Sequence, residues 1–283
     1  MSFIEAIILG LIQGLTEFLP ISSSAHIRIA GEFLPGAVDP GATFTAITQL
    51  GTELAVILYF RHDIARIIGR WFRHFGSSKG SHAIGIPKDD PDVRLGWLII
   101  IGTIPIVIAG YLLQDTIRST FRSLWITAIV LIVFGIILGL ADLLGKRTKP
   151  LEQLSYRDGI LIGLAQILAL IPGVSRSGST MSASLALGYT RPAGARYGFM
   201  LAIPAVFGSG LYELVHSFGE PEGAYGYPET LLATVVAFGV GYAVIAFLMR
   251  YIETRSFLPF VIYRILLGIV LLVLLSLGTI APL

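Results

Sequence analysis

Six stretches of this chain are apolar over a length that matches a lipid bilayer: 42–60 (ATFTAITQLGTELAVILYF), 95–113 (LGWLIIIGTIPIVIAGYLL), 124–143, 194–212, 229–249 and 258–280. A bilayer core takes about 20 residues of helix to cross, and only a backbone that satisfies its own hydrogen bonds survives there. The expected fold is therefore an all-α polytopic membrane protein with six transmembrane helices. Composition agrees, since 13% of the 283 residues are charged, against roughly 25% in soluble domains. One membrane domain over 1–283 is expected rather than two soluble ones. The opening MSFIEAIILG has neither a basic n-region nor a small-residue cleavage site, so no signal peptide is expected. The absence of cysteine excludes disulfides, thiolate metal sites and a cysteine nucleophile.

Basic residues set the expected orientation, because short cytoplasmic loops collect Lys and Arg. Segment 61–94 carries Arg61, Arg66, Arg70, Arg73, Lys79, Lys88 and Arg94, and segment 144–157 adds Lys146, Arg147, Lys149 and Arg157. Segment 213–228 has no Lys or Arg and three glutamates. With six spans, both termini fall outside the cytoplasm. The formal charge of +2 reflects topology and gives no reason to expect a nucleic-acid partner. Residues 76–92 (GSSKGSHAIGIPKDDPD) read as a flexible linker.

Two shorter apolar stretches, 3–19 and 159–171, end at Pro20 and Pro172 and run into serines. They read as re-entrant helix-turn-helix segments. GLIQGLTEFLPISSSAH (10–26) and GLAQILALIPGVSRSGS (163–179) share Gly-Leu-x-Gln, a proline, and a serine three residues after it if one gap is allowed. Each is followed by three spans, and an odd number of spans turns the second copy upside down. An inverted-topology repeat is expected, with repeat 1 at 1–143 and repeat 2 at 158–283, and the two serine-rich turns should meet near the midplane.

Non-helical backbone at membrane depth must line something polar. The first turn offers Gln13 and Glu17, four residues apart on one helix face, then Ser22, Ser23, Ser24 and His26. The second offers Ser175, Arg176, Ser177, Ser179 and Thr180, with Gly173 and Gly178 permitting tight turns. Arg176 carries a planar fork suited to phosphate oxygens, and small neighbours leave backbone N–H groups free for an anion. Glu17 would repel that anion unless a divalent cation, Mg²⁺ or Ca²⁺, lay between, held by hard oxygen ligands including Glu17 and Gln13. A metal-bridged diphosphate fits the set, with Ser23 as nucleophile and His26 as proton shuttle.

Plainer explanations exist for each. Serines after a proline cap helices, a lone histidine can be a satisfied core residue, and an intramembrane arginine can tie helix C-terminal carbonyls or pair with Glu17. Three serines together, and a charge placed at membrane depth, favour function. Gln49 and Gln166 read as hydrogen-bonding glue between helices, Glu53 and Arg264 as a pair, Asp142 as a solvated span end, and Pro105 in GTIPIVIAG as a kink, either shaping a lipid-access cleft or simply bending a helix.

QGLTEFLPISSSAH and PGVSRSGST closely resemble the two signature regions of the bacterial undecaprenyl-diphosphate phosphatase family, also named for bacitracin resistance. The resemblance extends to chain length, span count and repeat. It implies removal of one phosphate from a long-chain isoprenoid diphosphate in the bacterial cytoplasmic membrane, regenerating the carrier for peptidoglycan and other envelope polymers, with a divalent cation. It also implies a site open to the outer face. The family's E/Q-x-x-x-E element falls on Gln13 and Glu17, its Ser-Ser-x-x-His element on Ser23 and Ser24 through His26, with Ser22 before them, and its P-G-x-S-R-S-G element on Pro172 through Gly178. Position 13 is Gln where Glu is common, so the ionisable role falls to Glu17.

The expected function is thus hydrolysis of undecaprenyl diphosphate. Glu17, Ser23, His26 and Arg176 are the catalytic candidates, and Ser22, Ser24, Ser175, Ser177 and Thr180 the substrate-binding ones. A phosphohistidine route through His26 is the mechanistic rival, and a transporter or flippase of the lipid carrier is the rival function. A homodimer is left open.

Overall fold

A computed structural model describes residues 3–34, 40–76, 87, 89–118, 121, 123–218 and 225–281. Among these, twelve helices run in chain order: α1 (Phe3–Thr16), α2 (Ser23–Phe33), α3 (Gly41–Tyr59), α4 (Arg61–Gly76), α5 (Pro91–Leu112), α6 (Gln114–Arg118), α7 (Leu124–Leu144), α8 (Tyr156–Gln166), α9 (Arg176–Ala186), α10 (Arg191–Ser217), α11 (Tyr227–Thr254) and α12 (Leu258–Ser276). Six of them, α3, α5, α7, α10, α11 and α12, are long and apolar enough to cross a membrane. Each contains one of the six apolar stretches read from the sequence, extended or trimmed by a few residues at its ends. Their outer faces carry exposed Ile104, Ile108, Ile129, Val133, Leu231 and Val270, the distribution of a multi-pass membrane protein whose solvent on that side is lipid.

Local chemistry starts and stops these helices. Asp90 accepts from the amides of Asp92 and Val93 ahead of Pro91 at the start of α5, and Ser155 accepts from Asp158 N at the start of α8. Such side-chain acceptors satisfy amides that have no partner in the first turn. Hydroxyls inside spans return to their own helix, as Thr48 does to Phe44 O and Thr103 to Ile99 O.

Close packing is set by small residues. A Cβ on Gly10 of α1 would come 2.5 Å from the carbonyl of Ala233, and one on Gly51 of α3 would overlap the carbonyl of Thr234, so both helices press onto α11. On the other side of the bundle a Cβ on Gly163 of α8 would lie 2.6 Å from the carbonyl of Gly102 in α5. Backbone approach of this kind substitutes for the hydrophobic drive that lipid does not supply.

Three readings from sequence are corrected. The basic segment beginning at 61 is not a loop at first: Arg61–Gly76 is helical, and Arg66 and Arg70 reach Asp92 at 3.1 and 3.4 Å. Asp142 is buried, takes an ion pair from Arg191 Nε at 2.6 Å and accepts the amide of Phe257 at 2.9 Å. Gln166 makes no interhelical hydrogen bond, both its amide atoms being buried without a partner. Most of the linker read at 76–92 lies outside the described residues.

Candidate active site

The two proline-serine turns lie against each other. α1 stops at Thr16, and after residues 17–22 α2 begins. After the turn 171–175 α9 begins. Ser22 (φ 74°) and Ser175 (φ 69°) immediately precede these two 11-residue helices. A non-glycine residue in such a conformation costs about 1–3 kcal/mol and persists only where its surroundings over-determine it. The surroundings here are hydrogen bonds between the turns. Gly173 N donates to Ser22 Oγ at 3.2 Å, and Ser177 Oγ donates to Leu19 O at 3.3 Å.

Arg264 of α12 supplies the rest of the bracing. Fully buried, it donates from Nη1 to Pro20 O at 2.9 Å and from Nη2 to Gly173 O at 2.7 Å and Val174 O at 3.0 Å. Its Nε donates to Leu131 O at 3.4 Å. The expected pairing with Glu53 is therefore not formed. A guanidinium has five donors in a fixed fork, and here that fork holds carbonyls of both turns at once. The structural tie considered for Arg176 is the role of Arg264.

Arg176 instead forms an ion pair with Glu17 Oε1. The other carboxylate oxygen, Oε2, accepts from Gln13 Nε2 at 2.8 Å and from Ser23 Oγ at 2.5 Å. One carboxylate thus touches the arginine, the serine and the glutamine that the sequence singled out, across both turns. Ser175 Oγ accepts from Gly178 N at 3.1 Å and so caps α9.

These groups form the polar end of a cavity of about 520 Å³. Glu17, Ser22, Ser23, Ser24, Ser175 and Arg176 line it, with Gln49 beside them. Ile106, Val107, Gly110 and Leu170 give it an apolar wall, and it reaches Tyr111, Tyr212 and Glu213. The segment following Pro105 is therefore part of the cleft. Four candidates are not in the lining: Gln13, His26, Ser177 and Thr180. Gln13 sits behind Glu17. Thr180 is fully buried and returns its hydroxyl to Arg176 O, while Ser177 is spent on Ser175 and Leu19.

His26 is also differently placed from its expected shuttle position. Nδ1 lies 2.7 Å from Ser22 O and Nε2 lies 2.7 Å from the Tyr263 hydroxyl, with the two rings stacked at 5.6 Å. A carbonyl only accepts, so Nδ1 carries the proton and Nε2 of the neutral ring accepts from Tyr263. Nδ1 thus serves the turn and Nε2 ties the ring to α12. Tyr263 and the bracing role of Arg264 escaped the sequence reading, and the available signal was an arginine followed by nothing acidic within its own apolar span.

For a divalent cation the donor set is suitable. Gln13 leaves Oε1 buried without a partner once Nε2 is bound to Glu17, and amide and carboxylate oxygens are ligands a hard cation accepts. Among the described residues no group of three or more His, Cys, Asp or Glu gathers as a closed metal cage. Substrate phosphate oxygens completing the shell is the usual arrangement for Mg²⁺.

The family model described as Bacitracin resistance protein BacA matches residues 6–270. A protein named Undecaprenyl-diphosphatase from Micrococcus luteus is 67% identical over 285 residues, covering 99% of this chain and all of the relative. One of the same name from Clavibacter michiganensis subsp. michiganensis is 66% identical over 281 residues, again covering 99% of this chain and all of the relative. Undecaprenyl-diphosphatase 2 of Streptomyces coelicolor is 52% identical over 294 residues, covering the whole chain and 98% of the relative. With the fold, both signature turns and near-complete coverage in agreement, the chain belongs to the bacitracin resistance protein BacA family.

Proposed function

We propose that this protein is an undecaprenyl-diphosphatase, hydrolysing undecaprenyl diphosphate to undecaprenyl phosphate and inorganic phosphate. It thereby recycles the lipid carrier of peptidoglycan and envelope polymer synthesis and confers bacitracin resistance. The observation that carries the reading to chemistry is the Glu17 carboxylate. It accepts from the Ser23 hydroxyl at 2.5 Å and pairs with Arg176, in a cavity that also has the apolar wall of Ile106, Val107, Gly110 and Leu170.

In the first step Glu17 Oε2 takes the Ser23 proton as Oγ attacks the terminal phosphorus. The bond from that phosphorus to the bridging oxygen breaks, and undecaprenyl phosphate leaves with that oxygen. Arg176 turns from Glu17 to the transferring phosphoryl oxygens, where preorganised charge does most of its work. Glu17 then hands that proton to the departing undecaprenyl phosphate and is again a carboxylate. Water attacks the phosphoserine, Glu17 accepts its proton and returns it to Ser23 Oγ as the bond from Oγ to phosphorus breaks and phosphate departs. Ser22, Ser24 and Ser175 border the same space and orient the phosphates. Ser177 and Thr180 keep α9 in register behind them. His26, with both nitrogens engaged, holds the Ser22 carbonyl, which favours Glu17 over His26 as the base and disfavours the phosphohistidine route. A divalent cation, Mg²⁺ or Ca²⁺, would be held by Glu17 and Gln13 and would neutralise the diphosphate charge.

The protein sits in the bacterial cytoplasmic membrane as a single domain. Its halves, 1–143 and 158–283, are inverted repeats whose re-entrant turns are residues 17–22 and 171–175. Supporting this, each turn ends in a serine at positive φ, begins an 11-residue helix and precedes three spans. The site opens to the outer face. The cavity reaches Tyr212 and Glu213, next to the one interspan segment without Lys or Arg, which the positive-inside rule puts outside. A lipid-carrier transporter has no use for a serine bonded to a carboxylate, so that reading is not favoured.

Phosphate release from undecaprenyl diphosphate by the purified protein, with and without EDTA, tests the proposal. Release that stops on chelation and returns with Mg²⁺ or Ca²⁺ is expected. No release with any divalent cation would sink the reading.

A further inference from the structure

Glu53 stands in the middle of α3 and takes no part in the chemistry above. Only 1% of its surface is exposed, and its Oε1 is buried without a hydrogen-bond partner. Among the described residues no cation lies within ion-pairing distance of it, and Arg264, its expected partner, is committed to carbonyls. A Cβ on Gly241 of α11 would lie 3.1 Å from the Phe18 ring and 3.3 Å from the Thr52 methyl group, so the residues adjoining Glu17 and Glu53 meet on α11. α1 and α3 share α11 as a floor through Gly10 and Gly51. The two helices therefore carry Gln13 and Glu53 to the same part of the bundle. Gln13 Oε1 is likewise fully buried and without a partner.

Two buried acceptor oxygens without donors, one from an amide and one from a carboxyl group, beside the engaged Glu17 carboxylate, suit a cation. An unpaired carboxylate in a protein interior costs several kcal/mol, and within a membrane such groups are retained for function. Glu17 does not supply the needed charge by itself, because Arg176 neutralises it. A divalent cation at that place is left with a neutral amide and a cancelled carboxylate unless a second acid is present.

We propose that Glu53 is the second carboxylate of the divalent-cation site, supplied from α3. The assignment rests on the cation reading given above. It makes the cation's ligands Glu17, Glu53 and the Gln13 carbonyl oxygen, drawn from two helices and the first turn. Gln13 Nε2 donates to Glu17, which a carboxylate at that position could not do, while Glu53 carries the charge.

The test is Mn²⁺ binding to the purified, chelator-stripped protein without substrate, read from the EPR signal of free Mn²⁺. The wild type should bind one ion. Glu53→Gln, which preserves size, should weaken binding by roughly tenfold or more, because the affinity of an oxygen-ligand site follows its ligand charge. Adding Gln13→Glu to that variant should restore it to near the wild-type value. Wild-type affinity in Glu53→Gln overturns the assignment and leaves the cation reading standing. Weakened binding that Gln13→Glu does not restore overturns it as well, since Glu53 then serves the bundle rather than the ion. No Mn²⁺ bound by the wild type overturns both readings.

Discussion

The backbone amide of Gly173 donates to the hydroxyl of Ser22 at 3.2 Å, across 151 positions of sequence. This bond joins the two turns directly and helps hold Ser22 at a φ of 74°. Ser22→Ala leaves a buried amide without an acceptor and keeps the conformational cost, so a loss of about 1–3 kcal/mol is expected. Ser22→Gly loses the same bond but relaxes the backbone, and should cost less than Ser22→Ala. Thermal unfolding of the two variants in detergent ranks them.

Chemistry should separate Glu17 and Ser23 from His26. Removing a positioned base costs about 10²–10⁴ in rate, and Glu17→Gln is expected within that range with the protein still folded. Ser23→Ala should lose at least as much. His26→Gln, able to donate to Ser22 O with its amide, should retain more activity than His26→Ala. Equal inactivation of both His26 variants, measured as kcat for phosphate release, would return the proton shuttle to His26.

Arg264→Met preserves bulk and removes the donors to Pro20, Gly173 and Val174. With several buried carbonyls orphaned at about 1–3 kcal/mol each, the variant should lose several kcal/mol. Arg264→Lys should recover part of the stability but little turnover, because one ammonium does not span both turns. Unfolding midpoints and kcat on the same preparations check this.

Outside the spans, Tyr189 donates to Asp158 Oδ2 at 2.8 Å, the oxygen that also takes Lys149 at 3.2 Å. Burial first, and the neighbouring Asp158 second, push the Tyr189 phenol up to about 12. Below the ordinary phenol value of about 10 the folded and unfolded chains both hold the proton, and the stabilisation is complete. Between there and about 12 only the folded chain holds it, so stability falls as pH rises. Tyr189→Phe should cost about 1.5–3 kcal/mol, the range for a hydrogen bond to a charged group. It should also flatten that alkaline decline in a pH series of unfolding midpoints.

The spans were legible because lipid imposes one rule on every residue inside it. A run such as LIIIGTIPIVIAGYLL has no other place to go, and a proline followed by serines at that depth must line something polar. Glu17, Ser23 and Arg176 followed from the same rule and came together on one carboxylate. Partner choice was not legible. Arg264 was matched to Glu53 because opposite charges in apolar runs invite pairing, yet the bare carbonyls of the two turns outcompeted a carboxylate. Asp142 looked solvated because it ends a span, but Arg191, far along the chain, folds over it. His26 has the right chemistry for a shuttle, and only coordinates reveal that both its nitrogens are taken.

The bond between Ser22 and Gly173 also bears on how the protein is made. When the first turn is made, the residues that satisfy it have not been synthesised. Pro20 O waits for Arg264 and Ser22 Oγ for Gly173, so the turn must stay hydrated or sheltered by the insertion machinery until the second half arrives. A chain stopped before the second turn is left with Glu17 uncompensated in the bilayer, a ready mark for membrane quality control.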